Sequence, residues 1–231
     1  MQAKDTKQQL RLLIQEASVI APDLAKRLEE INRWVKDVKP GSLTAKRFVI
    51  LFLQQMLQDA EVWLKLKSLP SEEEQQSALT ALNPTLQYWY SYLFPKWLRE
   101  NDPKFYIWRQ KLMAGEFNQE DAKLINPIAN NIKNRGGTIV QRYIADLSMA
   151  TDIIVSSRQE KPLCIQLTSV SEEFSQEKFD DWENTLILWT IDRGLFLSYN
   201  PRATDLVNQI VNILLYNSDN LTIGSYLNFN L

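Results

Sequence analysis

Three residues have the types and the spacing to hold a hard cation. Asp152 opens TDIIVSS (151–157), and Gln166 and Thr168 sit inside PLCIQLTS (162–169), an otherwise apolar stretch. Side chains two apart on a strand point to one face, so Gln166 and Thr168 share a face with each other and with Cys164. A neighbouring strand brings Asp152 beside Gln166. All three offer oxygen, which suits magnesium, manganese or calcium rather than softer metals. Two plainer readings stand beside this one. Asp152 accepts backbone N–H groups at a strand start, or Gln166 and Thr168 bridge strands, where threonine fits well. Cys164 reads as a small buried hydrophobe.

The rest of the composition narrows the chemistry. The 231 residues include no histidine, which removes Ser-His-Asp and Cys-His catalysis and every His-ligated metal. Cys164 is the one cysteine, so there is no internal disulfide and no cysteine zinc site. Apolar residues make up 45% and charged residues 23%, an ordinary globular composition. No apolar run reaches the roughly 20 residues of a membrane span. The opening MQAKDTKQQLRLL lacks the apolar core of a signal peptide. A cytoplasmic location with no membrane partner is the expectation. Residues 1–118 hold 17 Lys and Arg against 14 Asp and Glu, a net of +3; residues 119–231 hold 9 against 14, a net of −5. Neither half has the strongly basic balance that marks most nucleic-acid binders.

The elements that must position these residues follow from periodicity. Residues 1–118 read as a helical domain. Leu10, Leu13 and Ile14 share a face over 5–18, and Leu24, Leu28, Ile31 and Trp34 share one after Pro22. Lys39, Pro40, Gly41 and Ser42 break the pattern, with Ser42 as N-cap of a long helix over 43–67. SLPSEEE caps another helix, NPTLQYWYSYLF starts one with Pro84 in its first turn, and DPKFYIWRQKLMAGEF adds one that Gly115 ends. Five of the seven tryptophans lie here. YWYSYLFPKW (88–97) reads as bundle core or as an aromatic platform for bases. Residues 119–231 read as an α/β domain. Pro127 begins a helix that Arg135-Gly136-Gly137 closes. Strands follow over 138–145, 151–157 and 162–169, the last two joined by a hairpin loop carrying Arg158 and Lys161. Phe179, Trp182, Leu186 and Trp189 share one face of a helix over 175–190. Residues 193–201 form a buried strand, and 203–216 a helix with Thr204 as N-cap. The tail adds an edge strand. Glu172, Glu173, Glu177, Asp180, Asp181 and Glu183 read as a solvent face, which repels DNA. Arg193 pairs with Asp192 or Glu183, or touches phosphate.

That order of elements, with an aspartate opening the second strand and a polar pair on the third, resembles the PD-(D/E)XK nuclease superfamily, the restriction-endonuclease-like fold, over residues 119–217. The resemblance implies an αβββαβα domain in an α+β protein. In that family an Asp starts the second strand, a Glu-x-Lys lies on the third, and an acid often comes from the first helix. The carboxylates hold magnesium and the lysine orients the attacking water. Asp152 matches the aspartate, and Gln166-Leu167-Thr168 stands at the Glu-x-Lys position. Gln166 keeps a carbonyl oxygen for a metal; Thr168 lacks the cation. The 127–135 helix has no acid, and Glu120 and Asp121 precede Pro127. Phosphodiester cleavage needs neutralised phosphate charge and an activated water, and magnesium needs hard oxygen ligands. One carboxylate holds a dication weakly.

Three readings of function follow. The first is a degenerate nuclease-fold protein serving as a non-catalytic module that binds nucleic acid (DNA or RNA) or protein, the protein through its helical half. The second is a divergent magnesium-dependent nuclease with Asp152 and Gln166 as metal ligands and Thr168 holding water. The third is an unrelated structural or interaction protein.

Overall fold

Local sequence accounts for each helix of the first half. A computed structural model describes residues 3–36, 47–114, 120–169 and 175–231. Helix α1 (Ala3–Ile20) buries Leu10, Leu13 and Ala17, and α2 (Pro22–Lys36) buries Leu24, Leu28, Ile31 and Val35, each at helical spacing. Helix α3 (Arg47–Lys67) packs against α1. The break at Lys39–Ser42, the Ser42 cap and the Gly115 stop lie outside the described residues. Ser71 caps α4 (Glu72–Thr80) by accepting the Glu74 N–H at 3.1 Å. Asn83 caps α5 (Pro84–Tyr88) by accepting the Leu86 N–H at 3.0 Å. A π-helical turn, Trp89–Leu93, leads into α6 (Phe94–Arg99), and α7 spans Phe105–Ala114.

The aromatic stretch is core. Trp89, Tyr90, Phe94 and Trp97 are buried. Asp102, also buried, accepts both indole N–H groups of Trp97 and Trp108, at 3.1 and 3.2 Å. Burying that carboxylate is tolerated because it is hydrogen-bonded.

The second half folds around a five-stranded mixed sheet, so the protein is α+β. Helix α8 (Glu120–Asn134) precedes β1 (Thr138–Val140); α9 (Tyr143–Met149), β2 (Ile153–Ser156), β3 (Leu163–Thr168), α10 (Ser175–Leu188), β4 (Arg193–Ser198), α11 (Leu206–Asn220) and β5 (Ser225–Asn230) follow. The strands lie in sequence order. β1, β2 and β3 run antiparallel, and β3, β4 and β5 run parallel. One face carries Ile153, Val155, Ile165, Leu167, Leu195 and Leu197, packed with Ile128 and Ile132 of α8 and Ile210 and Leu214 of α11. The other face meets α10, where the Trp182 ring lies 5.6 Å from that of Phe196.

Three local readings are corrected. The strand over 138–145 stops at Val140, and residues 143–149 are helical because Ile144, Ala145, Ser148 and Met149 bury one helix face. Pro127 lies inside α8 rather than at its start, where Ile125, Ile128 and Ile132 hold the helix to the core. Asp205, not Thr204, stands at the start of α11, in the left-handed region and with no side-chain cap bond.

The chain divides into two compact units. One comprises Met1–Leu82 and Tyr90–Phe117; the other comprises Asn83–Trp89 and Asn118–Leu231. Helix α5 therefore belongs with the sheet, where it packs on β1 and β2.

Candidate functional site

The antiparallel register of β2 and β3 brings the predicted residues together. Ile153 faces Ile165, so Asp152, one residue earlier, stands opposite Gln166, one residue later. The Asp152 N–H extends the ladder by donating to the Ile165 carbonyl at 2.9 Å. One carboxylate oxygen of Asp152, Oδ2, accepts twice: from the Leu167 N–H at 2.6 Å and from Gln166 Nε2 at 2.8 Å. Gln166 Nε2 also reaches the Leu167 carbonyl at 3.3 Å. Asp152 is 6% exposed and Gln166 is half-buried. The carboxylate thus ties together the two strands it lies between.

Thr168 shares the face of Gln166 but lies further along β3, opposite Ser198 of β4. Ser198 in turn faces Asn230 of β5. Thr168, Ser198 and Asn230 therefore make a polar row across the C-terminal ends of three parallel strands, the end of such sheets where ligands commonly bind. The Ser198 hydroxyl is buried without a hydrogen-bond partner. The sequence reading missed Ser198 and Asn230. Their signal was the polar residue that closes each strand, Ser198 after the apolar run LFL in RGLFLS and Asn230 at the end of the alternating SYLNFN.

The nearby charges serve the fold. Arg193 is buried, and its guanidinium donates to the carbonyls of Pro162, Asn217 and Ser218 at 3.2, 3.1 and 2.5 Å. It closes the C-terminal turn of α11, where a cation also meets the negative end of the helix dipole. These bonds to backbone carbonyls stand in place of the expected pairing with Asp192 or Glu183. Desolvation lowers the pKa of Arg193 from its ordinary value. Arg158 and Lys161 are exposed, as are Glu177, Asp180 and Asp181 on α10. Glu172 and Glu173 lie outside the described residues, as do the side chains of Glu120 and Asp121.

Cys164, one pair from Asp152 on the same face, is buried against Thr151 and Tyr88. Burial pushes its thiol up to about 12, against smaller opposing effects of the Thr151 hydrogen bond, the Arg193 charge and the Tyr88 hydrogen bond. Among the described residues no group of three or more carboxylate or thiol side chains could hold a metal ion. No described helix is long and apolar enough to cross a membrane. Comparison with family models, with curated proteins and with solved structures finds no match to the chain.

Proposed function

We propose that the sheet unit is a nuclease-type fold whose site has become structural, and that the protein works as a non-catalytic binding module. One observation carries this reading: Asp152 Oδ2 already accepts two N–H donors, on a residue that is 6% exposed. A magnesium ion at Oδ2 would compete with the Gln166 amide and the Leu167 N–H, with one carboxylate to hold it. Thr168 supplies no cation to orient water or steady the phosphate.

The partner is a nucleic acid or a protein. A nucleic acid is favoured at the helical unit. There a groove of about 600 Å³ is lined by Arg27, Arg33, Tyr106 and Arg109 together with the acids Glu30 and Asp102, with the Arg109 guanidinium 4.7 Å above the exposed Tyr106 ring. Cations beside aromatic faces suit single strands. A divergent magnesium-dependent nuclease is the second reading. The observation favouring it is the side-by-side placement of Asp152 and Gln166.

One experiment separates the two. Labelled single- and double-stranded DNA and RNA are incubated with magnesium or manganese and followed for cleavage and for anisotropy, wild type beside Asp152→Ala. The module reading expects no cleavage by either protein. It also expects Asp152→Ala to lose about 1–3 kcal/mol of stability through the N–H groups left unpaired. Metal-dependent cleavage by the wild type that Asp152→Ala abolishes would overturn it.

A further inference from the structure

The two edges of the sheet are built differently. β1 is a strand of three residues, and α5 packs against it. β5 is twice as long and ends the sheet on the other side, with β4 as its neighbour. Its sequence, SYLNFN, has no charge, no proline and no glycine. Edge strands usually carry a charge, a proline, a bulge or a cover that discourages pairing. Asn228 and Asn230 are exposed, and Leu227 and Phe229 are half-exposed.

The ladder shows which backbone groups face outward. The Leu231 N–H donates to the Ser198 carbonyl at 2.9 Å, and the Leu231 carbonyl accepts from the Asn200 N–H at 3.0 Å. Backbone groups alternate sides along a strand, so those of Phe229 and Leu227, two and four residues before Leu231, also turn toward β4. The N–H and C=O of Asn228 and Asn230 turn away from the sheet.

We propose that β5 is a homodimer interface, pairing antiparallel with β5 of a second copy about a two-fold axis at Asn228. The strand suits itself as a partner. A two-fold at that position sets Asn228 against Asn228, where the backbones exchange two hydrogen bonds and the amides can pair. It sets Leu227 against the second copy's Phe229, and Tyr226 against its Asn230. Apolar meets apolar, polar meets polar, and no like charges oppose. Such an interface is closed and self-complementary. The inference is independent of the reading of the Asp152 site.

The test is sedimentation velocity of the full chain from about 1 to about 200 μM, a range over which mass action shows a self-associating species. The expected result is a mass approaching twice 26.9 kDa. Asn228→Pro removes an outward N–H at the centre of the strand and leaves the β4 ladder bonds; it is expected to sediment at 26.9 kDa throughout. Asn228→Lys sets like charges face to face and is expected to do the same, which covers the case of Asn228→Pro failing to fold. A wild type that stays at the monomer mass at the highest concentration overturns the proposal. So does a folded Asn228→Lys that dimerises as the wild type does.

Discussion

The Cys164 thiol couples the stability of the sheet to alkaline pH. It titrates near 12 in the folded chain, from an ordinary value of 9.0, so its folded pKa is raised. The stability tied to it is full below the unfolded value and drains as pH climbs from about 9 toward 12, at up to about 1.4 kcal/mol per pH unit. Cys164→Ala should flatten the fall in the urea midpoint across that range relative to wild type. Parallel slopes for the two proteins would refute the assignment. At neutral pH the native thiol should also resist alkylation, since the thiolate is the reactive form. Burial of Cys164 was legible in its apolar surroundings. Asp152 and Gln166 were legible as neighbours because two rules sufficed: alternation along a strand, and the constant register of an antiparallel pair. The sequence offered Asp152 as an acceptor of backbone N–H groups and Gln166 as a bridge between strands; which end of the Gln166 amide turns to Asp152 was not legible. A side-chain amide presents either oxygen or nitrogen, and the local network decides. The Leu167 N–H and the Gln166 N–H both point at Oδ2, which makes the pair a strand tie.

Helix α10 shows what a single small residue does for an element. An added Cβ at Gly194 would sit 2.3 Å from Leu186 Cδ1 and 2.7 and 2.8 Å from atoms of the Trp182 ring. The helix lies that close to β4 because Gly194 has no side chain. Trp182 and Trp189 then fasten α10 to the segment around α9 by donating to the Ala150 and Ser148 carbonyls at 3.0 and 2.9 Å. Leu186 can shift its end, but Trp182 is 3% exposed and packed against both Phe179 and Phe196. Gly194→Ala should therefore cost about 1–3 kcal/mol, the usual range for overpacking. An unchanged denaturation midpoint would mean the helix can lift off the sheet freely. The shared face of Phe179, Trp182, Leu186 and Trp189 announced this helix in the sequence. The helix over 143–149 did not announce itself. Its seven residues are too few for a clear period, and Ile139, Val140, Tyr143 and Ile144 are good strand formers. Burial of Ile144, Ala145, Ser148 and Met149 overrode that preference.

At the scale of the molecule, the segment Asn83–Trp89 is what the sequence concealed. Its turn chemistry was plain, with Asn83 as cap and Pro84 behind it. Its place beside the sheet rests on contacts far along the chain, which no local pattern encodes. Thr85 and Trp89 are both buried, and Tyr88 hydrogen-bonds Cys164. Replacing residues 83–89 with a Gly/Ser linker of equal length should therefore expose Cys164 to thiol reagents under native conditions. Continued protection of that thiol would show that the segment is dispensable to the sheet.

The path of the chain also sets an order of events during synthesis. The ribosome releases Asn83–Trp89 well before the strands it packs on. At about 5–20 residues per second, those strands are still seconds from completion when the segment emerges. The first helices can therefore collapse while Pro84–Tyr88 still lacks the strands it packs on. A nascent chain of this protein carries a waiting hydrophobic segment, and translation speed across residues 90–156 governs how long it waits.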